Sequence, residues 1–79
     1  MDELRTYLND LPPVDQANFA KRCGTSIGYL RKAVYTDARI GESIVIAIER
    51  ESRGAVRCEQ LRPDVDWQYI RSTGKRRVV

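Results

Sequence analysis

The chain reads as all-α, a compact bundle of four helices closed by one or two short C-terminal helical turns. Three observations predict this class. Leu4, Tyr7, Leu8 and Leu11 recur at i, i+3, i+4 and i+7, the spacing of one helix face. Residues 16–35, QANFAKRCGTSIGYLRKAVY, form two short periodic runs broken by Gly24. After Gly54 nothing sustains the alternation of a β-strand, so a strand or hairpin around residues 55–58 is the alternative that the pattern favours less.

Asp2 is placed to cap the first helix, whose Leu4, Tyr7, Leu8 and Leu11 stripe must be buried. Pro12 pushes Leu11 out of the helical region and ends it. Pro13 suits the start of the second helix, predicted from about Pro13 to Cys23, with Asp15 near its positive end. Phe19, Ala20 and Cys23 follow Gln16 at helical spacing and give this helix a small apolar face. Gly24 supplies the positive φ of a tight helix end, and Thr25 or Ser26 is a ready N-cap for a third helix from about Ser26 to Tyr35. Two short helices around one such turn make a helix-turn-helix, with small Ala20 allowing close approach and Leu30 and Ala33 forming the seam.

Periodicity alone groups Ile27, Leu30 and Val34 as the inward face of the third helix. The helix-turn-helix register instead buries Leu30 and Ala33 and turns Ile27 outward; we adopt that register. Thr36 and Asp37 signal a turn, and Ala38 to Ile40 connect to a fourth helix of about Gly41 to Ser52. Its expected inward stripe is Ile40, Ile44, Ala47 and Ile48. Val45 and Ile46 fall outside that stripe, so they either pack under the C-terminal segment or form a dimer contact. Gly54 ends the helix, Val56 plugs the core, Cys58 to Leu61 make one helical turn and Pro63 stops it. Asp64 or Asp66 caps a last turn through Trp67 and Ile70, both expected to fold back onto the domain. Residues 1–70 form the domain; residues 71–79 are a basic tail, expected to be disordered from Ser72.

The 16–35 stretch resembles the DNA-binding helix-turn-helix of Cro/cI-type phage repressors, whose fold is lambda-repressor-like. The run ESIVIAIERESRGAVRCEQLRPDVDW, residues 42–67, is similar to the second half of small Cro-like proteins of the YdaS type, in which an IE dipeptide ends a helix and LRPD with a nearby Trp closes the domain. Together the two stretches cover roughly two thirds of the chain. The resemblance implies a second helix of the motif lying in the major groove, with Ser26, Ile27, Gly28, Arg31 and Lys32 on the groove face. Gly28 departs from a rigid helix, at about 1 kcal/mol relative to Ala, and also leaves room for close approach to DNA. Ile27 can meet a thymine methyl, and Arg31 or Lys32 can reach guanine O6 and N7. The alternative for each is solvent exposure or a phosphate contact, which for Lys32 is the preferred reading. Gln16, with Asn18 beside it, is expected to anchor the start of the second helix on a phosphate or to brace the recognition helix.

Charge is unevenly spread along the 79 residues, whose net charge is +3. Residues 1–15 carry four acids against Arg5, whereas Lys21, Arg22, Arg31, Lys32 and Arg39 stand against Asp37 alone in residues 16–39. Residues 40–70 are net acidic, and Arg71, Lys75, Arg76 and Arg77 make the tail basic. Cations concentrated on the motif and the tail are the footprint of a phosphate-binding surface, with Lys21, Arg39, Arg71, Lys75, Arg76 and Arg77 as auxiliary phosphate contacts. Two cysteines without any histidine make neither a four-ligand zinc site nor, in a reducing cytosol, an expected disulfide; both read as small hydrophobes. No phosphate-binding Gly loop, catalytic triad or carboxylate pair in a recognisable context is present, so no enzyme, cofactor or metal is expected. No apolar run of about 18 residues and no secretory leader are seen, so the protein is expected in the cytosol of a bacterial host, and as a DNA binder on the nucleoid.

The expected function is sequence-specific DNA binding for repression in a phage or prophage circuit. Two copies would pair on a near-palindromic operator, weakly associated or monomeric when free, with Val45, Ile46, Val56 and Trp67 as candidate dimer contacts. An antitoxin-like regulator with a protein partner is the first rival, favoured by an apolar surface around Val45, Ile46 and Trp67. The second is an architectural binder indifferent to sequence.

Overall fold

The computed structural model describes residues 1–71. Five helices, α1 (Asp2–Asn9), α2 (Pro13–Arg22), α3 (Ile27–Thr36), α4 (Glu42–Glu51) and α5 (Cys58–Leu61), precede a sixth helical stretch, α6 (residues 67–71). No strand occurs among the described residues, and the 55–58 alternative is a turn leading into α5. The predicted tail disorder, with Lys75, Arg76 and Arg77, lies outside the described residues.

The helices start and stop where local chemistry dictates. Pro13 opens α2, where its missing N–H is not needed, and Gly24 at φ +80° closes the turn after it as the Thr25 N–H reaches back to Ala20 O at 3.0 Å. Ser26, rather than Thr25, is the cap of α3: its Oγ accepts the Tyr29 N–H at 3.2 Å. Asp2 does not cap α1. It is the first helical residue, and its charge sits near the positive helix end without a capping bond.

Leu4, Leu8, Phe19, Ala20, Cys23, Leu30 and Ala33 join the first three helices in one core, and Ile40, Val45, Ile48, Val56 and Trp67 extend it toward the C-terminus. The inward face of α4 differs from the expected stripe: Val45 is fully buried with Ala47 and Ile48, Ile44 is half-buried, and Ile46 faces out. The cause is a second layer. The 52–58 turn and α5 cover the Val45 side, with Cys58 Sγ donating to Val45 O at 3.7 Å, so α4 is enclosed over more than one face.

The LRPDxDW run closes the domain through a buried arginine. Arg62 grips Asp64 bidentately at 3.0 and 2.9 Å, donates to Ile40 O at 2.9 Å and lies 3.7 Å from Glu42. Its own carbonyl accepts the Trp67 indole N–H at 2.8 Å. Asp66 then caps α6 through the Tyr69 N–H, and Trp67 is buried as expected. Ile70 is not: it is 49% exposed, because the cap at Asp66 orients α6 with Trp67 inward and residues 68–70 outward.

Candidate nucleic-acid interface

Helix α3 presents one apolar and one polar side. Leu30 and Ala33 are buried against α1 and α2, while Gly28, Arg31, Lys32, Tyr35 and Thr36 face solvent. The two candidate registers are reconciled: Leu30 and Ala33 form the seam, and Ile27 and Val34 are half-buried at its edge, packed on the core. Ile27 is therefore a flank of the polar face rather than a fully outward residue. Ser26 lies at the start of that face, with its hydroxyl committed to the cap.

Gln16 is a brace. Its Nε2 donates to Leu8 O and Leu11 O, both at 2.8 Å, adding a second bond to a Leu8 carbonyl that already accepts the Leu11 N–H and tying down the chain that leaves α1, and its Oε1 accepts from Arg31. Both amide protons are consumed, and the side chain is 8% exposed, so the donor it would offer a phosphate is already used. Its effect on α3 is indirect: it holds Arg31, whose planar guanidinium keeps further donors directed outward. Asn18, two residues on, projects from the solvent side of α2 and is not gathered with Gln16.

The cations divide into two sets. Arg22, Arg39, Arg50, Arg57, Arg62 and Arg71 each lie within 4.0 Å of a carboxylate. Arg5, Lys21, Arg31 and Lys32 have no carboxylate partner among the described residues; Arg53, in the turn after α4, is the other such arginine. Arg71 was expected to be a phosphate contact, but it is an internal tie: it donates to Glu49 at 2.6 and 2.8 Å and to Glu59 at 2.6 Å. Arg39 is exposed and only loosely placed, 4.0 Å from Asp64. The proposed dimer surface also changes, since Val45, Val56 and Trp67 are core and only Ile46 of that set is exposed.

Arg5 and Asn9 are not among the residues singled out from the sequence. They stand one turn apart on the edge of α1 beside Arg31 and Tyr35. A sign was available, because Arg5 is the sole cation among four acids in residues 1–15, but nothing local says which helix faces it. Cys23 and Cys58 are buried and unpaired; burial first, then the nearby Glu51 and Glu49, raises both thiols to about 11, so they stay protonated and inert.

Comparison with known proteins accords with this arrangement. A protein of Escherichia coli (strain K12) named "Putative transcriptional regulator YdaS" is 68% identical over 25 residues, which are 32% of this chain and 26% of that relative's length. No solved structure matches the chain significantly. The family model described as "Bacterial toxin YdaS" matches residues 15–70, from the start of the helix-turn-helix through the Arg62 and Trp67 closure, and the chain belongs to that family.

Proposed function

We propose that this chain is a sequence-specific DNA-binding repressor of the Cro type, acting in a phage or prophage circuit in the bacterial cytosol, with residues 1–70 as the DNA-binding domain. The observation that carries it is the partition of cations: Arg31 and Lys32 of α3, with Arg5 and Lys21 nearby, have no carboxylate partner among the described residues, while Arg50, Arg57, Arg62 and Arg71 of the C-terminal half are paired internally and Arg53 alone there is not. Unpaired cations release counterions when they meet phosphates, without first breaking an internal bond. With α3 in the major groove, the braced Arg31 reads guanine, Ile27 touches a thymine methyl from the edge, and Lys32 and Lys21 face the backbone. A second copy on the other half-site completes the operator and excludes polymerase. Ile46, Tyr69 and Ile70 are the large apolar side chains that α4 and α6 leave exposed for such pairing. The family's description as a toxin fits the same mechanism, because occupancy of a promoter the host needs arrests growth. The antitoxin-like alternative calls for an apolar surface around Val45, Ile46 and Trp67, and two of those three are core.

The test is selection of duplexes from a random pool by the full chain, followed by gel-shift titration. A near-palindrome with half-sites about one helical turn apart should be enriched and bound cooperatively by two copies. Arg31→Ala should flatten the preference among variants of that site by about 1 to 3 kcal/mol. Failure to enrich any site would reject sequence-specific control.

A further inference from the structure

Beside the polar face of α3 lies a cleft of about 380 Å3, walled by Arg5, Leu8 and Asn9 from α1 and by Arg31, Val34 and Tyr35 from α3. Its floor is apolar, with Leu8 buried and Val34 half-buried, and its rims carry hydrogen-bond donors and two guanidinium groups. Charge is sorted across α1. Asp2, Glu3 and Asp10 line a separate depression on the other flank, together with Thr6, Tyr7 and Ala55. Asp2 is three residues from Arg5, a spacing at which helical ion pairs form, yet the two make no ion pair among the described residues. The one cation of an otherwise acidic helix is thus turned toward the recognition helix and left unneutralised.

We propose that this cleft seats a phosphodiester of the bound duplex, on the strand bordering the groove that takes α3. Arg5 supplies the charge, and Asn9 and the Tyr35 hydroxyl donate hydrogen bonds to the phosphate oxygens. Arg31 forms the wall between cleft and groove and keeps its base-reading task. The inference rests on the DNA-binding reading and adds a second helix to the interface, so that α1 and α3 straddle one edge of the groove. Contacts of this kind fix register and carry no sequence information.

The experiment compares the full chain with Arg5→Gln, Asn9→Ala and, on the acidic flank, Asp10→Asn, on a random-sequence duplex and on the selected site over a range of salt. Arg5→Gln should lower the slope of log K against log salt by about 0.9 and weaken both duplexes by the same factor. Asn9→Ala should weaken both with the slope retained, and Asp10→Asn should leave the slope unchanged; all three should melt with the parent protein. If the wild type binds and the Arg5→Gln slope equals its own, the cleft holds no phosphate. A slope change of the same size in Asp10→Asn would also overturn the proposal, since the slope would then follow net charge and not a contact. If the wild type binds neither duplex, the DNA-binding reading fails and takes this inference with it.

Discussion

The two halves of the domain use the same charged residues for opposite purposes. In the C-terminal half, Glu49 accepts the Cys58 N–H at 2.9 Å and faces both Arg57 and Arg71, tying α4, α5 and α6 together. Arg62 does the same for the 40–42 connector and Trp67. In the α1–α3 half the polar side chains hold little of the chain, apart from the Ser26 cap and the Gln16 brace. A short domain needs its few buried polar groups satisfied, and no buried side-chain nitrogen or oxygen among the described residues lacks a partner. Binding surface is what remains once those needs are met. The carboxylates that lie near an arginine, rather than the arginine itself, tell which purpose it serves.

This contrast breaks most visibly at Trp67. Trp67 is 3% exposed and its indole N–H is bonded to Arg62 O, so Trp67→Ala removes packing and one of the two hydrogen bonds to that carbonyl, which keeps the Val65 N–H. A loss of about 3 to 5 kcal/mol is expected, enough to unfold much of a domain of ordinary stability. Lys32→Ala, on the exposed face of α3, should stay within about 0.5 kcal/mol of the parent. Urea midpoints for the two variants check this; equal midpoints would remove the distinction between a closing half and a presenting half.

What the sequence made legible follows the same division. Helical periodicity placed Leu4 and Leu8 inward on α1, and Pro13, Gly24 and Ser26 marked the limits of α2 and α3, because each of those effects acts within one or two turns. Periodicity gives angles around a helix but not the position of its neighbours. For α4, apolar over much of its surface, it therefore could not choose Val45 over Ile44, and it left Val45 open between packing under the C-terminal segment, where it lies, and a dimer contact. Arginine has no apolar pattern that announces burial, so nothing in the sequence marks Arg62 within LRPD for the core, where it lies. Arg5 and Arg31 are far apart in sequence and meet only through the packing of α1 on α3. The choice for Gln16 between phosphate anchor and brace depended on where α2 sets it against the Leu8 and Leu11 carbonyls at the end of α1, a tertiary fact.

A smaller effect sharpens the comparison through pH. Burial alone raises the Glu49 carboxyl, but the hydrogen bonds from Arg71 and the Cys58 N–H outweigh it and bring it from 4.5 to about 2. Asp64, hydrogen-bonded by Arg62, falls from 3.8 to about 2. Carboxyls depressed in the folded state stabilise it above their unfolded pKa, and that stability is lost as pH falls through the folded value. The urea midpoint should therefore drop between about pH 4.5 and pH 2. Glu49→Gln should start lower at neutral pH and show a shallower drop, with the Asp64 share remaining. An acid profile unchanged by Glu49→Gln would place the sensitivity outside the α4–α6 tie.

The smallest expected effect is at Gly28, and there stability and binding should move in opposite directions. A Cβ added at Gly28 would meet nothing nearer than Ser26 Oγ at 3.9 Å, an ordinary contact, and the residue lies in the first turn of α3 with no positive φ to preserve. Gly28→Ala should thus stabilise the free protein, by less than the full helix-interior difference of about 1 kcal/mol because the first turn is only partly constrained. If Gly28 were merely tolerated on a solvated helix, DNA affinity would be unchanged or slightly improved. If the groove face needs backbone close to DNA, the added methyl should weaken binding to the selected site while the melting temperature rises. Parallel thermal melts and gel shifts separate the two. A gain in both would show that Gly28 serves no contact, and would move the centre of the interface toward Arg31 and the α1 edge.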